Sequence, residues 1–348
     1  MKKLIDVLTA AGQPPRVYRQ PDGSAVLLLP HGGRVLGLFS PASEENFYWT
    51  HTDLDAVDTA AALFAGDQWH NTGGDRTWLA PEVDFFLPHY PKTDVYFQQR
   101  SLDPGDYRPV QDDEGDRWIN RLACVLSRTG ASVDLRIAKS FGPAANPLRY
   151  ERPGPAESVE YAGYTQCTRL SIVGEGAAQA GPVGLWNLVQ MPHGGDMIIP
   201  TYAPSAPRTL FGNVAPDDVS VEPHCIRYRM HAAGEHKIGV RACAVAGRIG
   251  YRYAAADGRA ALIVRNFSVN PSGEYVDAPW SEPSDLGYAV QACNVHSGLG
   301  SFSELEYHVP AAGRATGSVE SVDVSQVWAF RGPAEDVDTI SEQLLGTK

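Results

Sequence analysis

The sequence contains no long apolar run and few cysteines, and each shortage argues against a class of protein. Apolar stretches such as Ala25–Leu29 are far shorter than the roughly 20 residues that a membrane-spanning helix needs. The five cysteines, at positions 124, 167, 225, 243 and 293, are an odd number without a C-x-x-C pair. This spacing favours reduced thiols in a cytoplasmic protein over a disulfide framework or a zinc site.

Positive charge is also scarce, and several common catalytic motifs are missing. The net charge of −12 disfavours a nucleic-acid partner, because phosphate binding needs clustered lysine and arginine. The absence of a Rossmann glycine fingerprint, a P-loop, a G-x-S-x-G elbow and an H-E-x-x-H helix disfavours nucleotide enzymes, serine hydrolases and zincins. Near the N-terminus, Asp6 interrupts a short apolar stretch and no A-x-A cleavage site follows. That segment therefore predicts a first helix rather than a signal peptide.

The chain instead has many glycines and prolines between short apolar segments, with 34 Gly and 26 Pro in all. Strands are predicted at residues 24–29, 34–39, 131–139, 165–173, 183–190, 225–230, 237–244, 260–269, 286–294 and 302–309. Helical spacing is found at residues 2–11, 56–63 and 333–345. Many short strands with short helices near the termini predict an all-β fold, a large sandwich forming a single domain over residues 1–348.

Residues 67–90, DQWHNTGGDRTWLAPEVDFFLPHY, hold the densest group of aromatic and charged side chains. The Gly73-Gly74 pair predicts a tight turn or a close backbone approach. Indole faces cover the apolar face of a pyranose and charged groups bond its hydroxyls, so the segment is typical of a sugar site. The alternative is that Trp78 is a core residue and that Arg76 and Glu82 form a buried pair holding a long loop.

Residues 184–204 contain two predicted strands joined by a turn that carries His193. Asn187 and Gln190 are three residues apart, so they point to opposite faces of the first strand. His193 is either a functional side chain or an exposed turn residue.

Residues 291–310 contain a strand in which Glu304 and Glu306 share one face, since side chains alternate with a period of two. One of two such carboxylates on a partly apolar strand can act as a base. The alternative is a pair of solvated glutamates on a sheet surface. The histidines at positions 224, 231 and 236 do not have the spacing of a metal site.

Together these segments resemble the galactose-mutarotase-like group, which includes aldose 1-epimerases and several uncharacterised bacterial families. The similarity runs in order through HGGRVLGLF, HNTGGDRTWLAPE, LWNLVQM…MIIPT and GSFSELEYHVP, with the first two most like the uncharacterised families. The resemblance implies a β-supersandwich, two large twisted sheets with a sugar cleft on one concave side. By position it gives Glu306 the role of catalytic base and His70 that of a substrate-binding histidine.

The strand that carries the acid histidine of epimerases departs from the pattern. Epimerases have N-H-x-Y-F-N-L there, whereas residues 185–190 read LWNLVQ. His193 lies just beyond and can supply the acid only if the turn folds back over the cleft. The predicted site has Glu306 and His193 as catalytic residues and, as substrate-binding residues, Arg34, Trp69, His70, Asp75, Arg76, Trp78, Glu82 and Asn187.

The resemblance implies a carbohydrate-binding protein whose activity is the ring opening and closing of an aldose 1-epimerase. A non-catalytic sugar-binding or sensing protein, and a lyase or glycosidase acting in the same cleft, are the alternatives, because one fold supports several chemistries. No metal and no cofactor are expected. The predicted partner is a small carbohydrate, with neither nucleic acid nor membrane involved. The protein is expected to be a cytoplasmic monomer or homodimer.

Overall fold

The computed structural model describes residues 1–112, 115–151, 154, 157–174 and 177–347. Within these residues one sheet has nine strands. They lie in the order β1 (Arg16–Arg19), β2 (Ala25–Leu29), β3 (Arg34–Phe39), β4 (Asp75–Ala80), β9 (Gly184–Pro192), β18 (Gly300–His308), β17 (Val290–Ser297), β14 (Gly234–Val240) and β11 (Arg208–Phe211).

A second sheet has ten strands in the described part of the chain. Their order is β12 (Val219–Val221), β13 (Cys225–Arg229), β10 (Asp196–Pro200), β15 (Arg248–Ala254), β16 (Ala260–Asn266), β19 (Glu320–Gly332), β8 (Glu160–Val173), β7 (Ser132–Pro143), β6 (Gly115–Val125) and β5 (Arg108–Asp112). The paired strands of the two sheets run antiparallel. The largest cluster of buried apolar side chains draws on both sheets, so the predicted all-β sandwich is confirmed.

Four α-helices are found in the described residues: α1 (Lys2–Ala10), α2 (Val57–Ala65), α3 (Glu82–Phe85) and α4 (Ala334–Leu345). Three short 3-10 helices, Thr52–Asp55, Ala177–Gln179 and Pro216–Asp218, lie in the connections. α1 and α2 cover the outer face of β2 and β3, where Leu27 and Leu36 pack with Leu8 and Ala60. Because both faces of these strands are buried, their sequences are continuously apolar rather than alternating. α4 ends at Gly346, whose φ of 66° is the left-handed conformation that glycine adopts easily. None of the described helices has the length and apolar character required to cross a bilayer.

A buried charged cluster connects the two sheets. Arg265 on β16 forms a salt bridge with Asp75 on β4 and donates hydrogen bonds to Tyr307 (3.1 Å) and Ser325 (3.0 Å). The hydroxyl of Tyr164 donates to the same Asp75 carboxylate. Both charges are almost fully buried, so they depend on each other for the polar contacts that water would otherwise provide.

The predicted close approach at Gly73-Gly74 is confirmed. Gly74 has a φ of +80°, and a Cβ added there would overlap the carbonyl oxygen of Val35 and lie 2.8 Å from the Cα of Leu36. The turn leads directly into β4, which lies in the middle of the nine-stranded sheet and was not among the predicted strands. The glycine pair therefore determines where β4 begins.

Replacing Gly74 by alanine is expected to destabilise the fold through two additive effects. The left-handed backbone costs an alanine about 1–2 kcal/mol, and the overlap with β3 adds an overpacking cost of about 1–3 kcal/mol. Gly258→Ala is the matched control, because Gly258 has a similar φ of +83° with no atom within 4 Å of the added Cβ. Urea unfolding should therefore show a clearly larger loss for Gly74→Ala. Equal losses would mean that β3 and β4 are not in close contact at this turn.

Lys139 on β7 is a buried cation in the sandwich interior. Its Nζ donates to the backbone carbonyl of Gly33 at 2.9 Å and lies 5.3 Å from the centre of the Tyr107 ring. Burial lowers the pKa of Lys139 to about 7. The folded protein therefore releases this proton at a much lower pH than the unfolded chain does.

This difference predicts a specific pH dependence of stability. Between pH values of about 7 and 10.4 the unfolded state binds one more proton than the folded state, so stability rises with pH by up to about 1.4 kcal/mol per pH unit. Above the unfolded-state pKa of Lys139 this stability is fully present; it is lost progressively as the pH falls and is gone once the pH is below the folded-state pKa of about 7. Lys139→Met should remove this component, so the difference in unfolding free energy between wild type and variant should change steadily across that window. Parallel curves would contradict the lowered pKa.

Candidate functional site

A cleft lies on the face of the nine-stranded sheet that points away from the second sheet. Side chains at alternate positions of β4, β9 and β18 point into it, and the register places Glu304 beside Gln190 and Cys293. The segments on either side of β4 and the loop before β17 form its walls. Its volume is about 530 Å³, and its aromatic and charged lining consists of Trp69, Trp78, Tyr96, Trp186, Phe211, Trp280, Phe302, Arg76, Glu82, Glu235, Lys237 and Glu304.

Glu304 is a carboxylate in the cleft wall with one oxygen anchored. Its Oε1 accepts hydrogen bonds from Arg76 Nη2 (3.1 Å) and Gln190 Nε2 (2.8 Å). Arg76 is itself oriented by Asn71 Oδ1 at 2.9 Å and lies 4.1 Å from the centre of the Trp78 ring. The arrangement fixes the carboxylate at the cleft surface without covering it, since the Glu304 side chain is 11 % exposed.

Glu306 lies two residues further along the same face but is fully buried. Its Oε2 accepts from Trp186 Nε1 at 2.7 Å and pairs with Lys237 Nζ at 2.8 Å. Burial raises the pKa of Glu306, while Lys237 opposes the shift and Glu304 adds to it. Burial alone would lower the pKa of Lys237, but the Glu306 charge holds it raised. Two donors on one oxygen are the surroundings of an ionised carboxylate, so we assign a charged pair.

Glu82, the first residue of α3, is a second acid in the cleft wall. Its two oxygens accept from the Tyr96 hydroxyl (2.7 Å) and from Trp280 Nε1 (2.8 Å). Burial raises the pKa of Glu82 despite the nearby Lys237, and Asp277 raises it further. A carboxyl group with a raised pKa holds its proton nearer to neutral pH, which is the property required of a general acid.

The indoles of Trp69 and Trp78 are held by one buried carboxylate, Asp103. Its Oδ2 accepts from Trp69 Nε1 at 3.0 Å and from Trp78 Nε1 at 2.9 Å, while Oδ1 pairs with Arg34 at 2.8 Å. Burial would raise the pKa of Asp103, but Arg34 and Arg76 outweigh it and lower the pKa. Arg34 therefore lies behind the aromatic wall and supports it, rather than lining the cleft as predicted.

The predicted substrate-binding positions of Asp75 and Asn187 are corrected by the structure. Both side chains point to the inner face of the sheet, where Asp75 pairs with Arg265. Asn187 lies 3.4 Å from Asp323 and accepts from the Thr77 hydroxyl at 2.7 Å. Neighbouring side chains along a strand point to opposite faces of the sheet. Arg76 and Trp78 point into the cleft, so Asp75 points to the opposite face.

The two predicted histidines also lie outside the cleft lining. His193 contacts Asn294 at 3.1 Å and stacks on His296. Its neighbour Pro192 is paired with Phe302, four residues from Glu306 along β18, or about 14 Å. The turn does not fold back over the cleft, so His193 cannot act with Glu306 as predicted. His70 stacks on His31 behind the aromatic wall, with their Nε2 atoms 3.1 Å apart.

Of the predicted residues, the cleft brings together Trp69, Arg76, Trp78 and Glu82. Lys237, Tyr96 and Trp280 were not predicted as site residues. Lys237 could have been found as a lone cation in the apolar strand segment HKIGV. Tyr96 and Trp280 come from loops whose sequences do not indicate which element they pack against.

Three side chains at the cleft floor have the chemistry of a metal site. Cys293, Glu304 and Glu306 offer one ligand atom each within 4.8 Å of one another. Burial raises the pKa of the Cys293 thiol, and the two carboxylates add to the shift. With Lys237 and Arg76 already paired to these carboxylates, the group is electrostatically satisfied without a cation. The absence of a metal therefore stays a prediction.

The fold and the site together define a β-sandwich protein with an aromatic-walled, carboxylate-bearing cleft on one sheet. The chain belongs to a family of unknown function (DUF6786), which matches residues 59–348. No curated protein matches the sequence significantly.

Solved structures with similar folds include sugar epimerases at very low identity. An aldose 1-epimerase candidate from Klebsiella pneumoniae subsp. pneumoniae MGH 78578 is 9% identical, with a TM-score of 0.44 over 94% of this chain and 82% of that chain. Galactose 1-epimerase from Lactobacillus acidophilus NCFM is also 9% identical, with a TM-score of 0.43 over 91% of this chain and 94% of that chain. A similarity of this degree carries no information about activity.

Proposed function

We propose that the protein binds a carbohydrate in the cleft and catalyses acid–base chemistry at the sugar's anomeric centre, in the manner of an aldose 1-epimerase. The observation that carries the proposal is the presence of two carboxyl groups, Glu304 and Glu82, in one cleft with aromatic walls. Aromatic faces cover the apolar C–H face of a pyranose, and the polar groups between them bond its hydroxyls. The resemblance of four segments of this chain to epimerase-like proteins supports the same class of ligand.

The roles of the two acids follow from their surroundings. Glu304, paired with Arg76, is the base that removes the proton of the anomeric hydroxyl. Glu82, with its raised pKa, is the acid that protonates the ring oxygen as the bond from the anomeric carbon to that oxygen breaks. The open-chain aldehyde then rotates about its C1–C2 bond, and the reverse transfers close the ring as the other anomer. In this proposal Glu306 and Lys237 form the fixed floor rather than the reacting pair.

A second candidate is a sugar-binding protein without catalysis. Two features of the structure favour it. The cations of the cleft already have carboxylate partners, in the pairs Arg76–Glu304 and Lys237–Glu306. In addition, no histidine is found in the lining formed by the described residues.

Two measurements on the wild-type protein separate these candidates. Isothermal titration with a panel of aldoses reports binding, and exchange NMR on the same sugars reports interconversion of the α and β anomers. Binding with accelerated exchange supports the enzyme, and binding without it supports the second candidate. If no aldose binds, and no glycoside or disaccharide added to the same titration binds either, the assignment of the cleft to carbohydrate is wrong.

A further inference from the structure

A second cavity adjoins the cleft. The main compartment is the 530 Å³ cleft described above, with Trp69, Trp78 and Trp186 in its lining. The side compartment has a volume of about 410 Å³ and is lined by Thr93, Leu210, Ala278 and Ser281, among others. Four residues border both compartments: Glu82, Phe211, Lys237 and Trp280. The two cavities are therefore neighbouring parts of one surface depression.

The border between the compartments is formed by packed aromatic rings and a hydrogen-bonded carboxyl group. The Trp280 ring stacks on Tyr96 with 5.9 Å between centres and lies 6.4 Å from Phe211. The Trp280 indole N–H donates to Glu82, which fixes the ring and places a carboxyl group at the border. A ligand that crosses from one compartment to the other must therefore pass an aromatic face and a hydrogen-bonding acid.

Size and lining indicate what fills both compartments. The main compartment (about 530 Å³) and the side compartment (about 410 Å³) each fall within the range of small-molecule pockets, about 300–1,000 Å³, so each is large enough to hold a ligand group of its own. The side compartment combines apolar surface from Leu210 and Ala278 with polar groups from Asp277, Ser281 and Thr93. This mixture suits a sugar ring, which has both C–H faces and hydroxyls.

We infer that the substrate is a saccharide of at least two rings, with one ring in each compartment and their linkage beside Trp280. This inference rests on the proposed function. Because anomer exchange needs a free anomeric hydroxyl near Glu304, the ring in the main compartment is the reducing end. The second ring is joined to this reducing-end ring through one of the reducing-end ring's other hydroxyls.

The test compares a monosaccharide with reducing disaccharides that contain it at the reducing end, by isothermal titration. The variant Ser281→Trp fills the side compartment from an exposed position outside the main compartment. Ser272→Trp is the matched control, an exposed serine in neither lining. Thr93→Trp fills the side compartment from its other wall and serves as a second variant should Ser281→Trp fold poorly, which its melting temperature would reveal.

We expect at least one disaccharide to bind about tenfold or more tightly than the monosaccharide. Ser281→Trp should abolish that advantage and leave monosaccharide affinity unchanged, while Ser272→Trp changes neither. Equal affinity for one and two rings would overturn the inference and leave the proposed function intact. So would an equal loss of both affinities in Ser281→Trp. Failure of every saccharide to bind would overturn the proposed function and the inference with it.

Discussion

Replacing Arg265 by methionine should lower the free energy of unfolding by about 3–5 kcal/mol, the usual cost of breaking a buried ion pair. The change leaves the Asp75 carboxylate in the sandwich interior with the Tyr164 hydroxyl as a partner but without the cation that pairs with it directly. It also removes the donors to Tyr307 and Ser325 on two further strands. Urea denaturation of wild type and variant at neutral pH measures the loss.

Two comparisons identify the cause of that loss. The double variant Arg265→Met/Asp75→Leu removes both charges and should recover a large part of the stability, because an apolar pair replaces a charged one. Arg169→Met breaks the exposed Arg169–Glu320 pair (3.1 Å) on β8 and β19 and should cost about 1 kcal/mol or less. If Arg265→Met were no worse than Arg169→Met, the pair would not be contributing as a buried contact between the sheets.

Replacing Glu304 by glutamine should reduce turnover of the accepted sugar by about 10²–10⁴-fold. The amide keeps the volume of the side chain, and its carbonyl oxygen can still accept from Arg76 and Gln190. It cannot remove a hydroxyl proton. Because this interaction belongs to the transition state, kcat should fall much more than sugar affinity.

The matched control for Glu304→Gln is Glu235→Gln, the same chemical change at another carboxylate of the cleft lining. It should leave kcat nearly unchanged, because Glu235 is exposed and accepts from the Ser297 hydroxyl at 2.5 Å. Glu306→Gln should instead lower stability, since it leaves the buried Lys237 ammonium without its paired negative charge. Near-normal turnover in Glu304→Gln, with a collapse in a folded Glu306→Gln, would return the role of base to Glu306.

Strands that are apolar along most of their length, such as β2 and β3, were predicted from the sequence. β3 was predicted to the residue, and the helix before Gly346 was placed within one residue of its start. β4, with the sequence DRTWLA, was not among the predicted strands, and its first two residues are charged. Those charges are buried by partners on distant strands, Arg265 for Asp75 and Glu304 for Arg76, and sequence spacing does not reveal such partners. The single domain over residues 1–348 stays a prediction.

The residue types of the candidate site were predictable from the sequence, but the depth at which each side chain is buried was not. The alternation rule correctly put Glu304 and Glu306 on one face, and the aromatic and charged character of the segment around Arg76 pointed to the wall. The rule does not say how deeply a residue is buried, and the resemblance gave Glu306 the role of base by position alone, whereas its side chain is covered by Trp186 and Lys237. Depth depends on which loop side chains close over the strand, and these come from elsewhere in the chain.

The most direct test of the central claim is a crystal structure of the protein soaked with the saccharide that binds most tightly in titration. We predict a sugar ring in the main compartment, against at least one of its indole faces, with a hydroxyl within hydrogen-bond distance of Glu304 and the ring near Glu82. Density for the saccharide at any other surface, with the cleft empty at a concentration that saturates binding in solution, would contradict the assignment of this cleft as the carbohydrate site.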